Sequence, residues 1–341
     1  MKYRVDIATA NKAKSDLSTF IDGKDNRLLN KVGAFASLFS LDLSRFKEPV
    51  LVLKTEEPGS KQVLAFQQDR IESVCFDMIH HLINDCIVMG AEPLAVQDLI
   101  VCGKMDPGIV KRVVSACAAA CQAQGCVLTG GETTEQPDVV PSGTYILGSS
   151  IVGIVERSRI IDGSKIRAGD VVIGVGSSGL HTNGYTLIRD LLARNERLAE
   201  KCVGQITFLD AVLEPHRCYY QSLKGLFEAE SLRGLAHITG GGVKENLNRI
   251  LPANVDAEID LSAYRVPEIF SVIKQESRLS DDDMLHTFNM GVGLIAVCSP
   301  DLASDVLGHL NDSSESAYVV GSIVKGTGRV RCKDTLRYPG A

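Results

Sequence analysis

Val171-Val172-Ile173-Gly174-Val175-Gly176-Ser177-Ser178-Gly179-Leu180-His181-Thr182-Asn183-Gly184 decides the fold class of this chain. Its first five residues form an apolar run, rich in β-branched side chains, that reads as a strand. The glycines that follow break the run, and a helical pattern starts at about Gly184 and continues to Leu192. Strand, glycine loop and helix in that order make an α/β unit. Gly174, Gly176 and Gly179 match G-x-G-x-x-G, but a dinucleotide fold would place an acidic residue about twenty positions on. Here the next strand candidate, near Gln205 to Phe208, reaches an acid only at Asp210. No Gly-Lys-Ser/Thr follows, so the loop is not a P-loop. His181, Thr182 and Asn183, ahead of a helix N-terminus, suit a phosphate or a polar small molecule.

The same alternation runs outward in both directions. Upstream, Pro49–Leu53 and Val63–Phe66 read as short strands around a loop from Lys54 to Lys61. A helix over 77–89 carries the apolar stripe Ile79, Leu82, Ile83, Cys86 and Ile87. Another follows Asp106, a plausible N-cap, with Pro107 in its first turn and Gly125 at its end. Cys126–Thr129 and Tyr145–Val155 read as strands, and the hydrophilic stretch Glu156–Asp170 marks a boundary between domains at 1–160 and 161–341. Downstream, a second glycine loop over 239–242 leads into a helix ending near Leu251, and Val292–Cys298 and Ala317–Val324 read as late strands.

Composition narrows the function. A 341-residue chain with 45% hydrophobic and 23% charged residues is globular and long enough for about two domains. A net charge of −6, 5% aromatics and no Trp argue against nucleic-acid and anionic-membrane partners. No window is apolar for the roughly 20 residues a membrane span needs, and the first twelve residues lack a signal-type apolar core, so the expected location is the cytoplasm. The ten cysteines make no C-x-x-C pair and read as reduced core thiols.

Three groups carry candidate chemistry. Asp77, His81, Asn84 and Asp85 recur at helical spacing opposite the apolar stripe, with Asp77 and Asp85 about 12 Å apart along the axis. That spacing suits two ends of a magnesium-bound polyphosphate, although a merely solvated face is the plain alternative. Glu132 after Gly130-Gly131, and Glu56-Glu57 before Gly59-Ser60-Lys61, add hard oxygen donors of the kind Mg²⁺ prefers. In His237-Ile238-Thr239-Gly240-Gly241-Gly242, three glycines could let backbone N–H groups converge on an anion ahead of a helix.

Taken together, these words resemble the aminoimidazole ribonucleotide synthetase family, also called phosphoribosylformylglycinamidine cyclo-ligase. The resemblance rests on Ile83-Asn84-Asp85 with Gly90-Ala91-Glu92-Pro93, then Gly130-Gly131-Glu132-Thr133, the Gly176–Tyr185 stretch, His237–Gly242 with Glu245-Asn246, and Thr287-Phe288-Asn289-Met290-Gly291-Val292-Gly293. It implies a two-domain α/β (α+β) homodimer whose N-terminal sheets pair across the interface into a barrel. It also implies ATP-dependent ring closure of a small ribonucleotide in purine synthesis, with ATP and Mg²⁺ as cofactors. ATP and dimer contacts would fall to the N-terminal domain and substrate to the C-terminal α/β domain.

By the same resemblance His181, His237 and Asn183 would be catalytic, and Thr182, Thr239 and Gly240 to Gly242 would hold substrate phosphate. Glu56, Gly59, Ser60, Lys61, Asp77, Asn84, Asp85, Gly130, Gly131, Glu132 and Thr133 would bind ATP, with Glu56, Asp85 and Glu132 on the metal. The chain departs from the family in its first loop. Leu53-Lys54-Thr55-Glu56-Glu57-Pro58-Gly59-Ser60-Lys61 stands where the family reads serine-glycine-threonine-aspartate-glycine-valine-glycine-threonine-lysine. Glu135-Gln136-Pro137-Asp138 likewise stands for glutamate-methionine-proline-glycine. Thiamine-phosphate kinases, selenophosphate synthetases and a non-catalytic ligand-binding paralogue are the alternatives. The kinases carry an Asp-Asp pair where this chain has Glu56-Glu57, and the synthetases want a reactive cysteine well before Cys75.

Overall fold

The computed structural model describes residues 18–23 and 25–340. The first twelve residues, read above for a leader, lie outside them. The chain forms two compact units. One comprises Met1–Pro58, Ala65–Ile87 and Ala91–Ser158, and the other Gly59–Leu64, Val88–Gly90 and Arg159–Ala341.

The first unit is a four-stranded sheet in the order β1-β4-β2-β3, built from β1 (Pro49–Glu56), β2 (Glu92–Cys102), β3 (Val127–Glu135) and β4 (Tyr145–Glu156). β4 runs antiparallel to β1 and β2, and β3 runs parallel to β2. Helix α1 (Lys61–Gln67) includes the four apolar residues at 63–66 that read as a strand. So short an apolar run has no decisive period, and tertiary context made it a helix.

Helix α2 (Ile71–Ile87) starts six residues earlier than expected, because Ile71, Val74, Cys75 and Met78 extend the same buried stripe. Its other side is not a solvated face, since Asp77 and Asn84 are fully buried. Helix α3 (Pro107–Ala123) begins as its sequence directs, with the Asp106 carboxylate accepting from the N–H groups of Gly108 and Ile109. Both long helices contribute buried faces to this unit's core. The opposite face of the sheet alternates outward, leaving Leu51, Leu53, Leu99 and Ile146 exposed.

The second unit holds a six-stranded sheet in the order β12-β9-β11-β5-β10-β8. Its strands are β5 (Val171–Gly176), β8 (Gly234–His237), β9 (Val255–Asp260), β10 (Val292–Cys298), β11 (Ala317–Lys325) and β12 (Val330–Lys333). Near Gln205 to Phe208 there is only a two-residue strand, β7 (Ile206–Thr207), paired with β6 (Cys202–Val203). The surrounding helices are α4 (Tyr185–Arg194), α5 (Phe208–Leu213), α6 (Tyr220–Glu228), α7 (Gly242–Asn248), α8 (Glu268–Ser277), α9 (Asp281–Thr287) and α10 (Pro300–Asp312). α7 ends at Asn248, short of Leu251.

β5 and β8 both lie antiparallel to β10 and flank it, so their C-terminal ends emerge at the same end of the sheet. None of the ten cysteines forms a disulfide; seven are buried, whereas Cys202 is exposed and Cys218 and Cys332 are half-buried. The core-thiol expectation therefore fails for those three. No helix among the described residues is long and apolar enough to cross a membrane.

Candidate functional site

In the C-terminal unit the site is assembled where β5 and β8 end. The β5 loop is held by a small network: Ser177 Oγ donates to Gly179 O at 2.9 Å and to Asn289 Oδ1 at 3.1 Å. Asn289 Nδ2 returns a bond to Gly179 O at 2.8 Å, and Gly291 N–H donates to Asn289 Oδ1 at 2.8 Å. The loop turns through His181 in the left-handed region, φ +60°. A non-glycine residue is uncommon there and needs surrounding structure to hold it. Ser178 N–H donates to His181 Nε2 at 3.3 Å, so a neutral His181 carries its proton on Nδ1.

Gly293 on β10 lets this ring lie close, because a side chain there would collide with His181 and with Tyr219 Oη. Tyr219 Oη donates to Gly176 O at 2.9 Å, and complete burial holds its phenol well above the usual range.

His237 closes β8. Its Nε2 stands 2.9 Å from Nε2 of His216, a residue no sequence motif marked. The His216 ring stacks on His181 with centroids 3.8 Å apart and 21° between planes. The three imidazoles are buried and their ring nitrogens lie within metal-binding distance of one another. Yet lone pairs lie in the ring planes, and two nearly parallel rings cannot both aim them at one ion. The cluster is a stack joined by a hydrogen bond.

Lys61 belongs to this unit. It is fully buried, and its Nζ donates to the carbonyl oxygens of His181 at 3.2 Å and Glu214 at 2.7 Å. Its place in the sequence suggested a phosphate ligand, but here it ties together the two segments that carry His181 and His216.

The Thr239–Gly242 turn differs from its expected form. Gly241 and Gly242 take φ of +86° and +61°, and a side chain on Gly242 would run into the Leu285 carbonyl. Gly241 N–H bonds His286 O and Gly242 N–H bonds Thr239 O, each at 3.0 Å, so two of the three glycine donors are used inside the fold. Asn246 Nδ2 gathers the carbonyls of Thr239, Gly240 and Gly242. The open donor lies beside the turn instead. Asn183 Nδ2 is buried with no hydrogen-bond partner among the described residues, and Asn183 Oδ1 lies 3.5 Å from where a Gly240 side chain would begin. Buried donors are nearly always partnered, so an orphan here marks a place for a ligand acceptor.

In the N-terminal unit a second polar group lies on the helix-facing side of the sheet. Glu56, Ser149, Asp98 and Gly131 stand in one cross-strand row. Asp98 is buried, and burial pushes its carboxyl up to about 7. A side chain at Gly131 would collide with the Asp98 carbonyl and carboxyl, which explains a glycine inside β3, a strand that runs on past the expected Cys126–Thr129. Sequence reasoning missed Asp98; the available signal was a lone carboxylate within the apolar run 94–102.

Glu56 and Asp85 come together as expected, but around Lys54, whose Nζ is 3.0 Å from Glu56 Oε2 and 2.9 Å from Asp85 Oδ2. Partial burial pulls the ammonium down, and the bonds to Asp85 and Glu56 outweigh it, leaving the group above its ordinary value. Glu132 does not join them. It sits on the edge strand opposite β1, about 14 Å across at about 4.8 Å per strand, and pairs with Leu99 on the other face of the sheet. A Mg²⁺ ion does not fit a Glu56–Asp85–Glu132 set, because pleat and strand order separate the third ligand and an ammonium bridges the first two.

The fold and these sites define a two-domain protein of a known type. Residues 42–155 match the AIR synthase related protein N-terminal domain, and residues 167–333 match the AIR synthase related protein C-terminal domain. The chain belongs to the AIR synthase family. It is 40% identical over 297 residues to the phosphoribosylformylglycinamidine cyclo-ligase of Chromobacterium violaceum, covering 87% of this chain and 86% of that protein. It is 36% identical over 328 residues to the enzyme of the same name from Bacillus cereus, covering 95% of each. Among solved structures, thiamine-monophosphate kinase from Stenotrophomonas maltophilia superposes with a TM-score of 0.70 at 16% identity over 98% of each chain. The hydrogenase maturation protein HypE in complex with ATP does so with 0.67 at 18% identity, over 95% of this chain and 90% of that one. At such identities these two speak for the fold alone.

Proposed function

We propose that the chain closes the imidazole ring of formylglycinamidine ribonucleotide to give aminoimidazole ribonucleotide, with ATP converted to ADP and phosphate. The observation that carries this reading is the shared name of relatives 36–40% identical across most of both chains. The histidine site is the one proposed to serve this reaction. ATP phosphorylates the formyl oxygen, turning it into a leaving group. The ribose-bearing amidine nitrogen attacks that carbon, the C–O bond breaks, phosphate departs with the oxygen, and the nitrogen loses its proton. His237 is the group proposed to take that proton, and a neutral imidazole suits the task near neutral pH. Asn183 Nδ2, the orphan donor, is proposed to hold a substrate oxygen, with Thr182, Thr239 and the exposed Gly240 beside it. His181 orients the loop that carries Asn183.

The N-terminal unit, about residues 1–160, is proposed to take ATP and to dimerise, and the C-terminal unit to take the ribonucleotide. In the N-terminal unit Gly130 and Thr133 keep partial exposure and Glu132 is exposed, and these three are proposed to meet the nucleotide; Gly59 and Ser60, also partly exposed, belong to the second unit. Asp77 and Asn84 are fully buried, so neither side chain offers a surface to a nucleotide in this structure. Mg²⁺ is expected to enter with ATP on its phosphates. The helix-free sheet face, with Leu53 70% and Leu51 52% exposed, is the proposed homodimer surface. The test is formation of aminoimidazole ribonucleotide from formylglycinamidine ribonucleotide with ATP and Mg²⁺. Purified full-length chain that turns over neither substrate would end the reading.

A further inference from the structure

We infer that Lys54 is a resident cation, standing between Glu56 and Asp85 where a divalent ion would otherwise bind. Two carboxylates from different elements, β1 and α2, converge on a single point, the arrangement that chelates a hard dication. The point is taken by the Lys54 ammonium, at 3.0 and 2.9 Å from one oxygen of each. The three side chains are only 19–37% exposed, so the ammonium is not a solvated surface charge passing by. His81 Nε2 lies 3.7 and 3.8 Å from the same two oxygens, near the cluster but beyond hydrogen-bond distance of either.

A dication entering this cluster would either expel the ammonium or sit a few ångströms from it, and like charges so close in a half-buried site repel strongly. Lys54 lies on the same strand as Glu56, two residues before it, so the pleat points both side chains to one face. The cation is therefore placed by the strand itself and needs no mobile loop. One of the pair's two negative charges is offset permanently by the ammonium, and metal accompanying ATP is held elsewhere. This last consequence rests on the proposed function; the binding inference does not.

The test is Mn²⁺ titration of the full-length, nucleotide-free chain, reading free Mn²⁺ by electron paramagnetic resonance. In the wild-type background Asp85→Asn and Glu56→Gln are expected to change Mn²⁺ binding by less than twofold. Lys54→Met is expected to add one site per chain, at least about tenfold tighter than any in the wild type. Lys54→Met combined with Asp85→Asn is expected to lose it again. Lys54→Gln, checked for fold by circular dichroism, serves the same purpose should the Met variant not fold. The inference is overturned if Asp85→Asn alone weakens wild-type Mn²⁺ binding tenfold, or if neither Lys54 variant gains a site. No turnover is read, so a chain inactive on formylglycinamidine ribonucleotide would leave this result standing.

Discussion

Replacing Lys61 by Met is the sharpest probe of how the histidine site is held. Met keeps the length of the stem and removes only the ammonium. Two hydrogen bonds go with it, to the carbonyls of His181 and Glu214. Bonds from a charged donor contribute about 1.5–3 kcal/mol each, which gives roughly 3–6 kcal/mol. Unpartnered carbonyls are tolerated better than unpartnered N–H groups, so the lower part of that range, about 3–4 kcal/mol, is expected. At about 2–4 °C per kcal/mol for a unit of this size, scanning calorimetry should show Tm falling by roughly 6–16 °C.

The bonds tie down the segments bearing His181 and His216, so their loss should also loosen the stack. The kcat/KM for the ribonucleotide is expected to drop at least about tenfold, close to 1.4 kcal/mol of transition-state stabilisation, while KM for ATP stays within about twofold. A Tm within about 2 °C of wild type together with a raised KM for ATP would refute the reasoning. It would return Lys61 to the phosphate role its place in the sequence suggests.

Asp98 gives a pH signature. Its carboxyl titrates near 7 when folded and at 3.8 unfolded, so the native state favours the proton, and wild-type stability falls as pH rises from about 4 to about 7. Asp98→Asn abolishes that fall, and its stabilisation relative to wild type should be about 2–3 kcal/mol greater at pH 8 than at pH 5; equal differences at both would contradict the buried-carboxyl account. Leu53→Glu, on the exposed sheet face, should convert a homodimer to monomer in sedimentation at micromolar concentration, and a wild-type monomer would remove the dimer proposal altogether. His237→Ala should cut kcat/KM for the ribonucleotide by at least about tenfold with Tm and ATP binding near wild type. Loss of stability in proportion to activity would make His237 a structural residue.

What the sequence made legible is what local chemistry decides. Asp106 before Pro107 announces a helix start because a carboxylate and a missing N–H act within one turn, and α3 begins there. The glycine loop after Val175 is readable because only a strand-to-helix turn explains its spacing, and β5 and α4 flank it. Where partners lie far apart in the chain, the same residue types mislead. Gly131 stands beyond the strand read over 126–129, yet it is a glycine because Asp98, 33 positions earlier, presses against it inside a sheet. Lys61 closes a phosphate-type word, yet its ammonium is consumed by carbonyls 120 and 153 positions away.

His216 carries no local mark at all, and only the shared end of β5 and β8 brings it under His181 and onto His237. Lys54 is the converse case. A lysine two residues before a glutamate on one strand face is visible in the sequence as an ion pair, but Asp85 arrives on α2, and that arrival turns a surface pair into a bridged carboxylate site. Motif reading finds candidate residues for the chemistry. The charge each of them meets is set by strand order and pleat, and here a glutamate of the type that suits a metal ion is a lysine's counter-ion.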